Sequence, residues 1–278
     1  MATAVILTAV PAGTPAPYVD ILVDTIDVGV SFVTVWRTVN GRAMRVRGLV
    51  NVSSGSAVTA RDFEAPFGVT VSYRVEQFDG AGIFVSYSAA ATTTLANPDP
   101  SKAWWHNPLD PSTSVEVTMM STAAPDVSRP NNVETFRIPG RSVGVAITGG
   151  RHGVEGVALD CSLESFADAD RFDALFGGYD DDTSPVVCIR TRPEMRLPPT
   201  LFAVVGNARQ IPWNNKFGGE FTGFQITADE VAPPAEAIIV ALLDYADFTA
   251  FYATYAAFTA AYLDYTAATK DYSIAGTA

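Results

Sequence analysis

Nucleophilic, general-base and metal chemistry draw on histidine, cysteine and clustered carboxylates, and this chain has few of the first two: His106, His152, Cys161 and Cys188. A structural zinc site needs four ligands at close spacing, usually with a Cys-x-x-Cys pair, and these residues supply none. Cys161 and Cys188 lie in apolar, strand-like runs. That predicts buried thiols in a protein made in a reducing cytosol, with a disulfide between them as the alternative. Neither sits in an electropositive setting that would activate it. Asp168, Asp170 and Asp173 begin like a calcium loop, but Arg171-Phe172 and the missing Gly and terminal Glu spoil the spacing, so they read as acids complementing a helix N-terminus. Asp180-Asp181-Asp182 reads as a solvated hairpin tip, with Ca²⁺ or a partner's arginines as the alternative. Gly149-Gly150-Arg151-His152-Gly153 joins strand to strand instead of opening a helix, which predicts a hairpin turn and no phosphate cradle. No catalytic residue, metal or cofactor is expected, and the chain is not expected to be an enzyme.

Two groups suit partner contact instead. Arg37, Arg42, Arg45 and Arg47 form a basic ribbon across Asn40-Gly41 in a chain of net charge −12. They are candidates for meeting an acidic neighbouring subunit, an ordinary solvated face being the alternative. Near the C-terminus, Tyr245, Phe248, Tyr252, Tyr255, Phe258, Tyr262 and Tyr265 follow steps of three or four, spacing that a helical surface gathers on one side. Asp244, Thr254 and Asp264 each precede a tyrosine at ten-residue intervals, so each can cap a short helix of its own, one continuous helix being the alternative. Aromatics interleaved with alanine suit a seam packed against a partner. Stacking on sugars is the other use of such a surface.

The elements that must position these groups are mainly strands. Apolar residues make up 48% of the chain and charged ones 17%, enough for real cores, and frequent Thr, Val and aromatics between short-spaced turns favour β structure. The acidic balance argues against nucleic acid or an anionic membrane as partner. No basic signal-peptide start and no apolar run near the length of a membrane span is seen, so neither export nor anchoring is expected.

Residues 1–96 hold seven strand-like runs, which predicts a β-sandwich. Asn40-Gly41 marks a type I′ hairpin within it. A Pro/Gly turn, Asp62 to Gly68, feeds a strand carrying Tyr73, the arrangement in which a tyrosine hydroxyl ties a crossover to its strand. Asn97-Pro98-Asp99-Pro100 predicts a domain boundary, followed by Trp104 and Trp105 as a docking segment wedged between domains. Residues 97–231 alternate strands with turns around one helix, capped by Ser165, carrying Phe166, Ala169, Phe172 and Phe176 at helical spacing and stopped by Gly177-Gly178. Ala232-Pro233-Pro234 breaks the chain again, leaving 232–278 as a helical repeat tail for partner contact.

The first segment resembles a fibronectin type III domain. It resembles more closely the first domain of tail proteins of phages that infect actinobacteria, through Val33-Thr34-Val35-Trp36-Arg37, Val46-Arg47-Gly48 and the turn Asp62 to Gly68. The second is similar to the tube-type fold of phage tail-tube and distal tail proteins, through Gly140-Arg141-Ser142-Val143-Gly144-Val145, the run Asp168 to Leu175 and the strand ending at Asp229. Ten-residue repeats beginning Thr-Tyr also end many actinophage minor tail proteins. The resemblance implies a virion protein of the tail tip, made in the host cytoplasm, a homo-oligomer with hexamer favoured over trimer, contacting tail-tube, hub and tip proteins. A carbohydrate-binding adhesion module touching cell-wall glycan is the alternative, and a cell-wall hydrolase finds no motif in its favour.

Overall fold

The computed structural model describes residues 3–55, 57–177, 185–234, 248–249, 251–252 and 254–262. It is mainly β. The chain divides into two compact units, Met1–Pro233 and Pro234–Ala278.

Two hydrophobic cores lie inside the first unit. Around one, β1 (Ala4–Val10), β2 (Tyr18–Thr25) and β6 (Val58–Asp62) form a three-stranded antiparallel sheet. Facing it are β3 (Phe32–Val39), β4 (Arg42–Arg45), β5 (Val52–Ser53), β7 (Thr70–Phe78), β8 (Phe84–Tyr87) and β9 (Ala91–Thr94), in the order β4-β3-β7-β8 with β5 on β3 and β9 on β7. Period-2 alternation drives this packing: Val19, Ile21 and Val23 of β2 and Val71, Tyr73 and Val75 of β7 turn the same way, into a core shared with Val35, Leu49, Phe67 and Leu95. β4 ends at Arg45, and positive φ at Gly48 (76°) and Asn51 (53°) turns the chain before β5.

Asn40 and Gly41 form the two-residue turn between Val39 and Arg42, with φ of 49° and 81°. Such a turn matches the twist of its strands only with both residues in the left-handed region. A Cβ at Gly41 would meet nothing within 4 Å, so its cost is backbone strain alone. Gly41→Ala is expected to lower stability by about 1–2 kcal/mol with no change in the urea m-value. A variant as stable as the parent would mean that the turn relaxes to another type.

Around the second core run β10 (Lys102–Asn107), β11 (Asp110–Met119), β14 (Val157–Ala158), β15 (Cys161–Leu163), β16 (Val186–Arg190), β17 (Thr200–Pro212) and β18 (Thr222–Glu230), ordered β14-β18-β15-β11-β10-β16-β17. β17 also pairs with β18, so the sheet closes on itself. The strands β14 and β15 are short and separate, following a positive φ of 62° at Gly156.

Helix α1 (Phe166–Ala174) packs Phe172 between Trp105, 5.2 Å between ring centroids, and Phe224, 4.9 Å. Ser165 caps it: its Oγ accepts from the Asp168 amide and donates to Asp168 Oδ2. Asp168 thus serves the helix start and also pairs with Arg171 at 3.3 Å.

Between β11 and β14 the chain makes a separate two-stranded sheet, β12 (Asn131–Phe136) with β13 (Val145–Arg151), in which every residue is exposed. Here the expectation for Gly149 to Gly153 is corrected. Gly149 and Gly150 lie within β13, and the hairpin turns near Pro139-Gly140 instead. A Cβ on Gly149 would come within 2.9 Å of the Asn132 side chain, so the strand uses glycine for a close cross-strand approach.

The described residues of the second unit include helix α2 (Tyr255–Ala261), whose N-cap Thr254 accepts from the Ala257 amide at 3.2 Å. Extended backbone at Thr254 and at Tyr262 bounds it to seven residues.

A buried charged seam and the candidate contact surfaces

Strand β10 supplies both cores. Alternation sends Ala103 and Trp105 into the second core, while Trp104 packs on the first. The two indoles of the expected docking segment therefore sit in different cores, on a strand in the middle of a sheet. Across the ladder, Trp104 lies opposite Arg190 and His106 opposite Cys188. Both His106 and Arg190 are fully buried.

Around them is a cluster of buried charge. Arg37 Nη1 donates to Asp62 Oδ1 at 2.6 Å and its Nη2 to Glu64 Oε2 at 3.2 Å. Asp62 Oδ2 accepts from the Tyr73 hydroxyl at 2.8 Å, the tie between crossover and strand that the turn sequence predicted. From the second core, Arg190 Nη1 donates to the carbonyls of Pro17 (2.8 Å) and Ala65 (3.2 Å), and its guanidinium lies 4.7 Å from the Phe67 ring centre. Thr200 Oγ1 donates to the Glu64 carbonyl at 2.7 Å. The turn Asp62 to Gly68 is thus gripped from both sides. Gly68, at φ 69°, has Pro193 against the place of its missing Cβ at 3.4 Å.

Electrostatics follow from this geometry. Burial alone would lower the Arg37 pKa, but Asp62 and Glu64 outweigh it and raise it. Burial, aided by Asp62, raises Tyr73. Burial pulls Arg190 down to about 10, which leaves it a cation at neutral pH. Burial, with the charges of Arg190, Arg47 and Arg37, holds His106 well below the ordinary imidazole range, so it is neutral. Burial raises both cysteines, which are free, buried thiols. His106 Nδ1 and Nε2, and Arg190 Nε and Nη2, have no hydrogen-bond partner among the described residues.

The expected basic ribbon is therefore corrected. Arg37 is inside the protein, because β3 places it on the core side of its sheet where Asp62 and Glu64 neutralise it. Arg47 is mostly buried, its side chain 21% exposed, and donates to Glu64 at 2.9 Å. Arg42 reaches Glu230 of the second core at 2.9 Å. Arg45 is exposed and stacks over Trp36 at 5.2 Å. Three of the four arginines hold the unit together, and one faces outward.

In the second unit the described aromatics divide. Phe248 packs on Phe258 at 5.2 Å and Tyr252 on Tyr262 at 5.8 Å, two pairs ten residues apart, and the Tyr252 hydroxyl donates to Tyr262 at 3.0 Å. Tyr255 is 65% exposed, as is much of Phe251. Tyr245 and Tyr265 lie outside the described residues, as do Asp180, Asp181 and Asp182.

Among the described residues no group of three His, Cys, Asp or Glu side chains converges as a metal site. His152 is exposed and lies 3.1 Å from Glu155. A Gly-x-Ser-x-Gly spelling does occur, at Gly140 to Gly144. It belongs to the exposed turn of the β12–β13 hairpin, not to a strand-to-helix elbow, and no histidine or carboxylate hydrogen-bonds Ser142 among the described residues. A surface not apparent from the sequence is the end of the β17–β18 hairpin, where Trp213 stacks on Phe221 at 5.2 Å and Phe217 is 91% exposed. The turn chemistry of Asn214-Asn215 was its available signal. No protein-family model, curated protein or solved structure matches this chain.

Proposed function

We propose that this protein is a non-enzymatic structural component of the tail tip of a long-tailed phage, a minor or distal tail protein that builds a ring or collar and links the tail tube to tip proteins. One observation carries the reading: the motifs behind the resemblance of the first segment to actinophage tail proteins contain residues that build the seam. Arg37 closes the Val33 to Arg37 motif, Arg47 is the centre of Val46-Arg47-Gly48, and Asp62, Glu64, Ala65 and Gly68 belong to the turn, all in contact with one another or with the second core. A signature whose residues lock two β modules into one unit suits a part that transmits force, and a sheet closed on itself with one packed helix suits a tube-like second domain. The fibronectin-like 1–96 segment would brace neighbours, and the 232–278 tail would clasp another subunit or a tip protein.

Electron microscopy of the purified chain with its mass in solution tests this. Rings with a central channel, sixfold in preference to threefold, are the expected result. A strict monomer at every concentration would overturn the ring. The second reading, adhesion to cell-wall glycan, is favoured by the Trp213–Phe221 stack with exposed Phe217 and by exposed Tyr255. Specific glycan retention lost on Trp213→Ala or Tyr255→Ala would put it first.

A further inference from the structure

Among the described residues, the β12–β13 hairpin is an arm that no other element covers. A two-stranded sheet is marginal in water unless a face is covered. Here both strands are exposed along their whole length, and both edges leave backbone donors and acceptors unpaired in the described sheet. Register places Phe136, Val145 and Ile147 on one face, since Phe136 pairs with Val145 and Glu134 with Ile147. Ile147 is 60% exposed, and Val143 at the turn 76%.

The arm is also basic within an acidic chain. Residues 129–151 carry four arginines against one glutamate, and 155–182 carry nine carboxylates against one arginine. Arg129 and Arg151 are tied to backbone carbonyls at the base of the hairpin, whereas Arg137 and Arg141 lie near its tip and make no ion pair among the described residues. A surface of opposite character exists on the same chain. Phe166, Asp170 and Asp173, at helical spacing on α1, put an exposed apolar ring beside two exposed carboxylates. One surface is apolar and basic, the other apolar and acidic.

We propose that the β12–β13 hairpin of one copy docks on the α1 face of a second copy, the apolar side chains packing while Arg137 and Arg141 meet Asp170 and Asp173. The two surfaces differ, so the contact is heterologous and propagates head to tail, closing as a ring where the rotation permits. This deepens the assembly reading and rests on it for the ring, but the contact itself is separately testable.

Sedimentation of the full chain over a concentration and salt series provides the test. Wild type is expected to self-associate, more weakly as salt screens the charges. Phe136→Asp with Ile147→Asp should weaken association at least about 30-fold, with unchanged circular dichroism because neither residue belongs to a core. Should that pair misfold, Arg137→Glu with Arg141→Glu serves instead. That protein should fail to associate alone and recover on mixing with the Asp170→Arg, Asp173→Arg protein. Hairpin variants that assemble into the same rings as wild type would overturn the arm and leave the tail reading standing. Non-ring oligomers lost in the hairpin variants would uphold the arm and overturn the ring. A wild-type protein that stays monomeric, or a charge swap that restores nothing, overturns the proposed contact.

Discussion

Asp62→Asn is expected to destabilise the first unit by about 3–5 kcal/mol, although it changes one oxygen for an amide. The seam fully buries two guanidinium groups, Arg37 and Arg190, with two carboxylates, Asp62 and Glu64, and the mostly buried Arg47 pairs with Glu64 at its edge. Removing one negative charge leaves a net cation where solvent cannot screen it. The substitution also weakens three hydrogen bonds that Asp62 accepts, from Arg37, from the Tyr73 hydroxyl and from the Glu64 amide. Urea denaturation at neutral pH measures the loss. Arg37→Met should be similarly damaging alone, whereas the double variant should cost about 1–3 kcal/mol less than the sum, because it removes a charge of each sign. A single-variant cost below about 1 kcal/mol would mean that water reaches the seam. Additive costs would mean that Arg37 and Asp62 are not a coupled pair.

Parts of this fold could be read from local sequence. The strands of the first core were legible where one face is buried and the other wet, as in β7, and Asn40-Gly41 announced its turn because few other residues tolerate that backbone. Ser165 announced its helix for a similar reason: a cap acts within three residues. Strand β10 was hidden because Trp104 and Trp105 serve opposite cores, so both faces are apolar and the period-2 pattern that marks a half-buried strand disappears.

The seam was hidden by sequence distance. Arg37 looks like its neighbours Arg42 and Arg45, and only Asp62, 25 positions away, and the parity of β3 make it internal. Solvent exposure of the β12–β13 hairpin was equally illegible, since its strands alternate and contain apolar residues as core strands do. What the sequence lacked was any sign that no other described element would cover them. Aromatics at ten-residue intervals near the C-terminus did foreshadow contacts, and Phe248 and Phe258 meet each other within the tail.

The seam should also make the protein acid-sensitive above the range where carboxylates usually titrate. His106 is buried among cations: Arg190 is diagonal to it on β16, Arg37 lies on β3, and Arg47 lies just beyond β4, with the Cys188 thiol directly opposite. Its folded pKa is therefore far below the unfolded value of 6.5. At pH well above 6.5 the imidazole is neutral in both states and contributes nothing to the pH dependence. As pH falls below 6.5, the unfolded chain takes up a proton that the folded chain cannot hold, so stability declines by up to about 1.4 kcal/mol per pH unit until the folded pKa is reached. His106→Leu removes the titration at similar volume, and since neither ring nitrogen has a hydrogen-bond partner among the described residues, it also removes unsatisfied polar atoms. The variant should be at least as stable as wild type at pH 7.5 and should lose much less stability by pH 4.5. Stability of both proteins measured by urea denaturation at half-unit steps gives the slopes. Equal slopes would place the acid sensitivity in other groups, while a His106→Leu protein much weaker at pH 7.5 would mean that the imidazole has a hydrogen-bonded water in the seam and is not an unpaired group.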